Sequence, residues 1–385
     1  MTSSATPSAA ASPHATLFIA ASESDSNLYY VTRFMAPDPF VYLELKGERL
    51  MVMSDLEVDR ARSQATVDRV VSYSEVERRA KAQGVKDPST VDVVHLLLQD
   101  AGAKEILVPS TFPFLHAQRL QELGYTLRTK REPFYEQRVV KSAEEIRHIE
   151  ASQRATEAAV AAAHNSLRRA EIRDNLLWLD GEILTSERIK KLINVKLMEC
   201  DCVAQHTIVA GGEQACDPHD EGHGPLPAHR SIIFDVFPRS AGTRYFADMS
   251  RTVIRGTTSP ELKRLYRTVK DAQEEAIEKI RDGADGAKIH QGICDRFEQA
   301  GYKTGLVNGR MQGYFHGTGH GVGLDIHEAP RISRMGSILQ EGHVVTVEPG
   351  LYYPGLGAVR IEDMVLVTKD GCRNLTNYPK TFELD

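Results

Sequence analysis

The chain has 385 residues, 41% of them hydrophobic and 26% charged, and carries a net charge of −6. That length exceeds one typical core and predicts two domains of an ordinary folded protein. So mild an acidic balance leaves nucleic acid unexpected as a partner, and with no apolar run of roughly 18–20 residues a membrane is not expected either.

Residues 1–15 are rich in Ser, Ala, Thr and Pro and lack both a basic start and an apolar stretch. They read as a disordered tail rather than a leader, which predicts a cytoplasmic protein. From 16 to 140, short apolar runs alternate with helix-like segments. Strands are expected over 16–20, Phe40–Leu45, 49–53 and Glu105–Pro109, and helices over 74–83 and Thr90–Ala101. A hairpin should turn at Gly47. This α/β domain holds no cluster of catalytic groups.

The second domain, 141–385, opens on a capping box, with Ser142 as N-cap and Glu145 reaching back to it. A long helix follows, and others are expected over Ser186–Met198, 261–281 and 287–300. Strands are expected over 203–210, 231–237, 245–253, 344–348 and 359–367. Helices outside a curved, largely antiparallel sheet give an α+β fold. The cysteines (Cys200, Cys202, Cys216, Cys294, Cys372) form no CxxC pair and suggest neither a disulfide framework nor a zinc finger.

Five candidate metal ligands lie in this domain: Asp235, Asp248, His320, Glu348 and Glu362. Asp235 and Asp248 flank one turn, and Glu348 and Glu362 flank another, which suggests two related halves facing each other. Val345 and Val347 share one strand face and Glu348 takes the other; Val359 and Ile361 stand likewise to Arg360 and Glu362. The histidine segment, 316–328, is too glycine-rich for a helix and should project its imidazoles into a cavity. Four carboxylates gathered at one buried point repel one another and need cations to coexist. A pair of divalent ions is a recurring hydrolytic device, so the chain reads as a dinuclear metallohydrolase. The ligand set suits manganese, cobalt, iron or zinc better than copper.

Four segments, 247–252, 316–328, 347–352 and 360–363, together resemble the pita-bread metallopeptidases, a family that includes methionine aminopeptidase, proline aminopeptidase, prolidase and the metal-free creatinase. The likeness runs from about Ser142 to the C-terminus. The first domain is similar to the creatinase-type N-terminal domain, with residues 27–32 near its opening motif. The resemblance implies that Asp235 chelates one metal, Asp248 and Glu362 bridge, and His320 and Glu348 complete the second. It implies two divalent ions per chain, Mn foremost, activating a water, with Glu348 as proton acceptor and donor. His327 would steady the oxyanion. His316 and His219 match substrate-contacting histidines of proline-specific members, and Arg360 would orient Glu362 or meet a substrate carboxylate. His206 and His343 read as bystanders and Asp325 as a structural acid.

The sequence departs from the pattern in three places. The first ligand hairpin is about two residues longer than usual. Val236-Phe237 follows Asp235 where the family has a glycine two positions on. Gln205 stands where a tyrosine is common. The resulting expectation is hydrolysis of the Xaa-Pro bond in a small proline-containing peptide, most simply a dipeptide, by a homodimer. Alternatives are an Xaa-Pro aminopeptidase on longer peptides, a non-peptide amide hydrolase with the same metal centre, and a non-catalytic binding protein.

Overall fold

The computed structural model describes residues 15–385; apart from Ala15, the expected tail lies outside them. The chain divides into two compact units between Tyr135 and Glu136. The first contains β1 (Ala15–Ala20), α1 (Ser26–Thr32), β2 (Phe40–Leu45), β3 (Glu48–Met53), α2 (Val58–Gln64), β4 (Arg69–Ser72), α3 (Tyr73–Ala82), α4 (Thr90–Ala101), β5 (Glu105–Pro109), α5 (Phe114–Glu122) and β6 (Thr126–Lys130). Its sheet runs β4-β3-β2-β1-β5-β6. The hairpin turns where expected: Leu45 pairs with Glu48, and Lys46 and Gly47 both take positive φ. Alternation along β1 sends Leu17 and Ile19 into a core with Val94 and Leu97, and Phe18 into another with Phe34 and Tyr42. The sheet is therefore covered on both faces.

The second unit opens with α6 (Ala143–Arg169). Ser142 Oγ accepts from Glu145 N and Glu145 Oε2 accepts from Ser142 N, so the capping box forms. A small sheet of β7 (Glu171–Arg173), β8 (Leu176–Leu179) and β9 (Glu182–Ile183) leads into α7 (Ser186–Met198), β10 (Cys202–Val203), β11 (Ile208–Gly211), β12 (Ile232–Val236), β13 (Arg239–Ser240) and β14 (Met249–Arg255). Next come α8 (Pro260–Glu278), α9 (Gly286–Gln299), β15 (Gly305–Val307), β16 (Arg310–Gln312), β17 (Gly319–Gly321), β18 (Glu328–Ile332) and β19 (Val344–Val347). The chain closes with β20 (Gly350–Tyr353), β21 (Gly357–Arg360), β22 (Asp363–Val367), β23 (Cys372–Asn374) and β24 (Glu383–Leu384).

Two sheets organise this unit, β11-β12-β14-β24 and β18-β17-β19-β22-β23. Helices α6 and α7 share a core with Phe234, Val236 and Val253 of the first. Helices α8 and α9 do the same with Val345, Val347 and Val365 of the second. Each half is thus a helical pair over a largely antiparallel sheet whose uncovered positions carry the acids; in the first, only the β14–β24 pair is parallel. Among the described residues no helix is long and apolar enough to cross a membrane.

Three expected strands are shorter or divided. The run 203–210 breaks between β10 and β11, where His206 takes a left-handed φ of 59°. The strand expected from 245 begins at Met249, because Phe246 N donates to Gly323 O and Ala247 N to Pro238 O instead of to a sheet neighbour. The run 359–367 splits at Ile361-Glu362: β21 pairs with β20 and β22 with β19. Between them Glu362 N donates to Ser250 O of β14, so the chain crosses from one half to the other at an acid.

Glycines in the histidine segment are dictated by close approach. A Cβ on Gly319 would sit 1.9 Å from Thr346 O, and one on Gly321 2.2 Å from Ala329 O. Gly319→Ala should therefore cost about 3 kcal/mol or more, read as the loss in denaturant unfolding; a cost under about 1 kcal/mol contradicts this packing.

Candidate functional site

The two sheets meet at a cavity of about 940 Å³ in the second unit. Asp235 is the inward residue between Phe234 and Val236 of β12, and Asp248 lies just ahead of β14. His320 is the middle of β17, Glu348 follows β19, and Glu362 occupies the break between β21 and β22. The structure brings all five to the cavity wall. One ligand atom from each of Asp248, His320 and Glu362 lies within 4.8 Å of the others.

The electrostatics of this group are unusual. Burial, reinforced by the other acids, raises the carboxyls of Asp248 and Glu362 well above the usual range. Burial likewise pushes Glu348 up to about 8, against the opposing pull of Arg360. His320 is pushed down to about 3 by desolvation, with His327 adding to it, so its imidazole is neutral. With Nδ1 3.2 Å from Gly321 O, the ring carries its proton there. The lone pair on Nε2 then faces Glu348 Oε1 at 3.4 Å and Asp248 Oδ2 at 3.7 Å, acceptor against acceptor. Asp235 Oδ1, Asp248 Oδ1 and Glu362 Oε1 are buried and unpaired among the described residues. Oxygens and an imidazole nitrogen left without donors in one cavity fit divalent cations, which supply the charge all of them lack.

The supporting groups hold the acids from behind. Arg360 is buried and donates from Nη2 to Asp235 Oδ2 at 2.7 Å, from Nε to Ser250 Oγ, and from Nη1 to Tyr352 OH and Pro218 O. Ser250 Oγ in turn donates to Glu362 Oε2 at 2.9 Å. Arg360 thus acts on Asp235 directly and reaches Glu362 through Ser250. Arg251 donates to Glu362 O and to Asp363 Oδ1, fixing the same acid's backbone.

The remaining expected residues divide. His327 lies on the wall with its ring 4.3 Å from that of His320, nearly perpendicular. Burial lowers its basicity. His316 also lines the cavity, but both ring nitrogens are engaged, Nδ1 with Gly317 O at 2.8 Å and Nε2 with Tyr352 OH at 3.0 Å. Burial and Arg360 push it down to about 3, so it is neutral. His219 is on the wall in an exposed loop whose backbone is held by Asp217. Gln205 is exposed, and the wall there is formed by His206, which pairs with Glu221 at 2.7 Å. His343 accepts from Gln340 N, away from the cavity wall, and Asp325 pairs with Arg138.

Sequence reasoning missed Arg331. It is on the cavity wall and exposed, and its guanidinium has no acceptor among the described residues. Its signal was present: Arg331 is four positions past His327 in a strand-forming run, on the same face at a period of two. Tyr352 and Ser250, the links between Arg360 and its neighbours, lie in the resembling segments 347–352 and 247–252, but nothing local marks their contact with Arg360.

Residues 147–369 match the model of metallopeptidase family M24. Over 358 residues the chain is 27% identical to a Xaa-Pro dipeptidase of Pyrococcus horikoshii, covering 91% of this chain and 90% of that protein. Over 241 residues it is 30% identical to a Xaa-Pro dipeptidase of Pyrococcus furiosus, covering 62% and 63%. The X-Pro aminopeptidase of Thermotoga maritima has a TM-score of 0.79 at 23% identity, covering 96% of this chain and 97% of that one. For the Xaa-Pro dipeptidase of Bacillus anthracis the TM-score is 0.81 at 22% identity, covering 96% and 94%. These structural likenesses establish the pita-bread fold. The matched segment contains the four acids and the imidazole that meet at the cavity, together with α7, α8, α9 and most of α6 behind them; the chain belongs to metallopeptidase family M24.

Proposed function

We propose that this protein hydrolyses the Xaa-Pro bond of dipeptides at the cavity between its two sheets. The observation that carries this reading is the neutral His320 presenting a lone pair to carboxylates with three unpaired oxygens around it. Asp235 with the shared Asp248 and Glu362 would hold one divalent ion, and His320 and Glu348 with the same shared pair would hold the second. Two such ions, manganese by the family resemblance, would supply Lewis acidity and the charge that lets four carboxylates ionise together. Relatives named Xaa-Pro dipeptidase support the substrate class.

The chain's own groups then have distinct work. Glu348, on the cavity wall beside His320, would be ionised once the ions are bound and could then take a proton from the attacking water and return it to the leaving nitrogen. His327, on the cavity wall and made less basic by burial, can donate a ring N–H to the carbonyl oxygen as negative charge gathers there. His316, bonded at both nitrogens, serves to position the wall together with Tyr352 and Arg360. Arg360 has one N–H left of five, so Arg331 is the better partner for a substrate carboxylate. His219 meets the substrate from its loop. We extend the reading to a homodimer on the family resemblance alone. A second reading, an aminopeptidase on longer peptides, is favoured by one observation: about 940 Å³ is at the upper end for small-ligand sites.

Chelation should abolish hydrolysis and manganese or cobalt restore it; elemental analysis finding no metal in a fully active sample contradicts the metal centre. His320→Ala should reduce metal occupancy, whereas His327→Ala should keep metal and lower kcat by roughly 10²-fold. The reverse pattern would invert the two roles. Ala-Pro should be cleaved with roughly 10- to 100-fold higher kcat/KM than the same dipeptide extended by two residues, since a charge-assisted contact contributes about 1.5–3 kcal/mol. Arg331→Met should remove most of that difference, and equal turnover of both peptides by the native protein makes it an aminopeptidase.

The raised carboxyls also set a pH dependence. Between about 4.5 and 8 the metal-free folded protein keeps a proton on Glu348 that the unfolded chain releases, so its contribution to stability falls as pH rises through that window. Below about pH 7 the buried neutral His316 and His320 act in the opposite sense, because the unfolded chain protonates them, so the loss shows above that range: melting of metal-stripped protein should drop between about pH 7 and pH 8; a flat or rising melting temperature there contradicts this.

A further inference from the structure

Away from the five acids and imidazoles, the second unit contains a buried ionic cluster for which the reaction has no direct use. Arg138 and Lys141 lie just ahead of α6, and each is only 5% exposed. Arg138 Nη2 donates to Asp325 Oδ2 at 2.7 Å and to Glu328 Oε2 at 2.9 Å. Lys141 Nζ donates to the other oxygen of the same carboxylate, Glu328 Oε1, and to Arg138 O. Glu328 has a cation on each oxygen. The backbone is shaped to admit this carboxylate: a Cβ on Gly323 would sit 2.5 Å from Glu328 Oε1. The cations are themselves anchored, since Lys141 N donates to Gly342 O at 2.8 Å, in the approach to β19.

The position of the two acids gives the cluster its meaning. Asp325 and Glu328 are the shoulders of a short turn whose middle residues, Ile326 and His327, line the cavity. One guanidinium ties both shoulders, and Asp325 N leans on Glu328 Oε2 across the turn. Among the described residues the His327 ring has no hydrogen-bond partner of its own; its contact is the edge-to-face packing on His320. Its placement therefore depends on the backbone that carries it. Displacement of a reacting group by about 1 Å can cost on the order of 10²-fold in rate.

We propose that Arg138, Lys141 and Glu328 form an ionic latch whose task is to position His327 for catalysis. None of the three touches substrate in this account; they are positioning residues that act through His327. The proposal rests on the role of His327 given above, and it assigns a function to the short segment ahead of α6.

A double-mutant cycle separates positioning from bulk stability. Glu328→Gln should lower kcat for Ala-Pro by roughly 10-fold or more, with KM changed less than about threefold and metal content unchanged. In a His327→Ala background the same substitution should change kcat by less than about twofold, because the group it positions is already gone. An equal factor in both backgrounds, with His327→Ala itself impaired, overturns the latch and leaves the catalytic role of His327 standing. A fully active His327→Ala overturns both. Should Glu328→Gln fail to fold, Asp325→Asn provides the same cycle. Its side chain is half-exposed and the Lys141–Glu328 pair is left intact. The expected factor is then about threefold in the native background and none with His327→Ala, and the same equality of factors overturns the proposal.

Discussion

Mutual repulsion among buried acids is the constraint on which the rest of the catalytic unit depends. Asp248, Glu348 and Glu362 are each raised by burial, and the neighbouring acids reinforce the shift. No loop would hold such a set by itself. The two sheets do so because each acid has an apolar neighbour on the covered face: Phe234 and Val236 around Asp235, Met249 after Asp248, Val347 before Glu348, Ile361 before Glu362. Packing of four helices against those neighbours stabilises the positions that repulsion would scatter. Behind the acids stand Arg360 and Arg251, the first bonded to Asp235 and the second to the backbone of Glu362. Cations from the protein sit behind the carboxylates, and the cavity in front is left for cations from solution.

The same logic accounts for where the backbone is irregular. The chain leaves its hairpin at Ile361-Glu362 and bonds to Ser250, joining the halves where an acid from one must approach an acid from the other. Gly319 and Gly321 let β17 pass within van der Waals distance of its neighbours, so that His320 arrives between Asp248 and Glu348. The ionic latch adds a third fixed point, tying the turn that carries His327 to the segment ahead of α6.

Much of this was legible in the sequence because the information was local. Alternation of valines with acids at 345–348 and 359–362 identified inward carboxylates before any sheet was known, and Ser142 with Glu145 announced the start of α6. The glycines of the 316–328 segment excluded a helix correctly. What could not be read depended on pairing between distant strands. Nothing near Arg360 indicates that its guanidinium would be spent on Asp235, Ser250, Tyr352 and Pro218. Of the two roles the sequence leaves open for it, orienting Glu362 or meeting a substrate carboxylate, these contacts suit the first, and Arg331 is the cation left open on the cavity wall. The break after Ile361 was hidden for the same reason, since an unbroken apolar alternation continues across it while its hydrogen-bond partners change.

The central claim is that the acids of the metal-free cavity hold protons because they cannot all be ionised together, and that divalent ions displace those protons. Calorimetric titration of metal-stripped protein with manganese, at neutral pH in buffers of different ionisation enthalpy, counts the protons released on binding. With Glu348 pushed up to about 8 and Asp248 and Glu362 raised as well, the account predicts a net release of protons to the buffer. Tight manganese binding with an apparent enthalpy independent of the buffer, and so with no proton released, would contradict it.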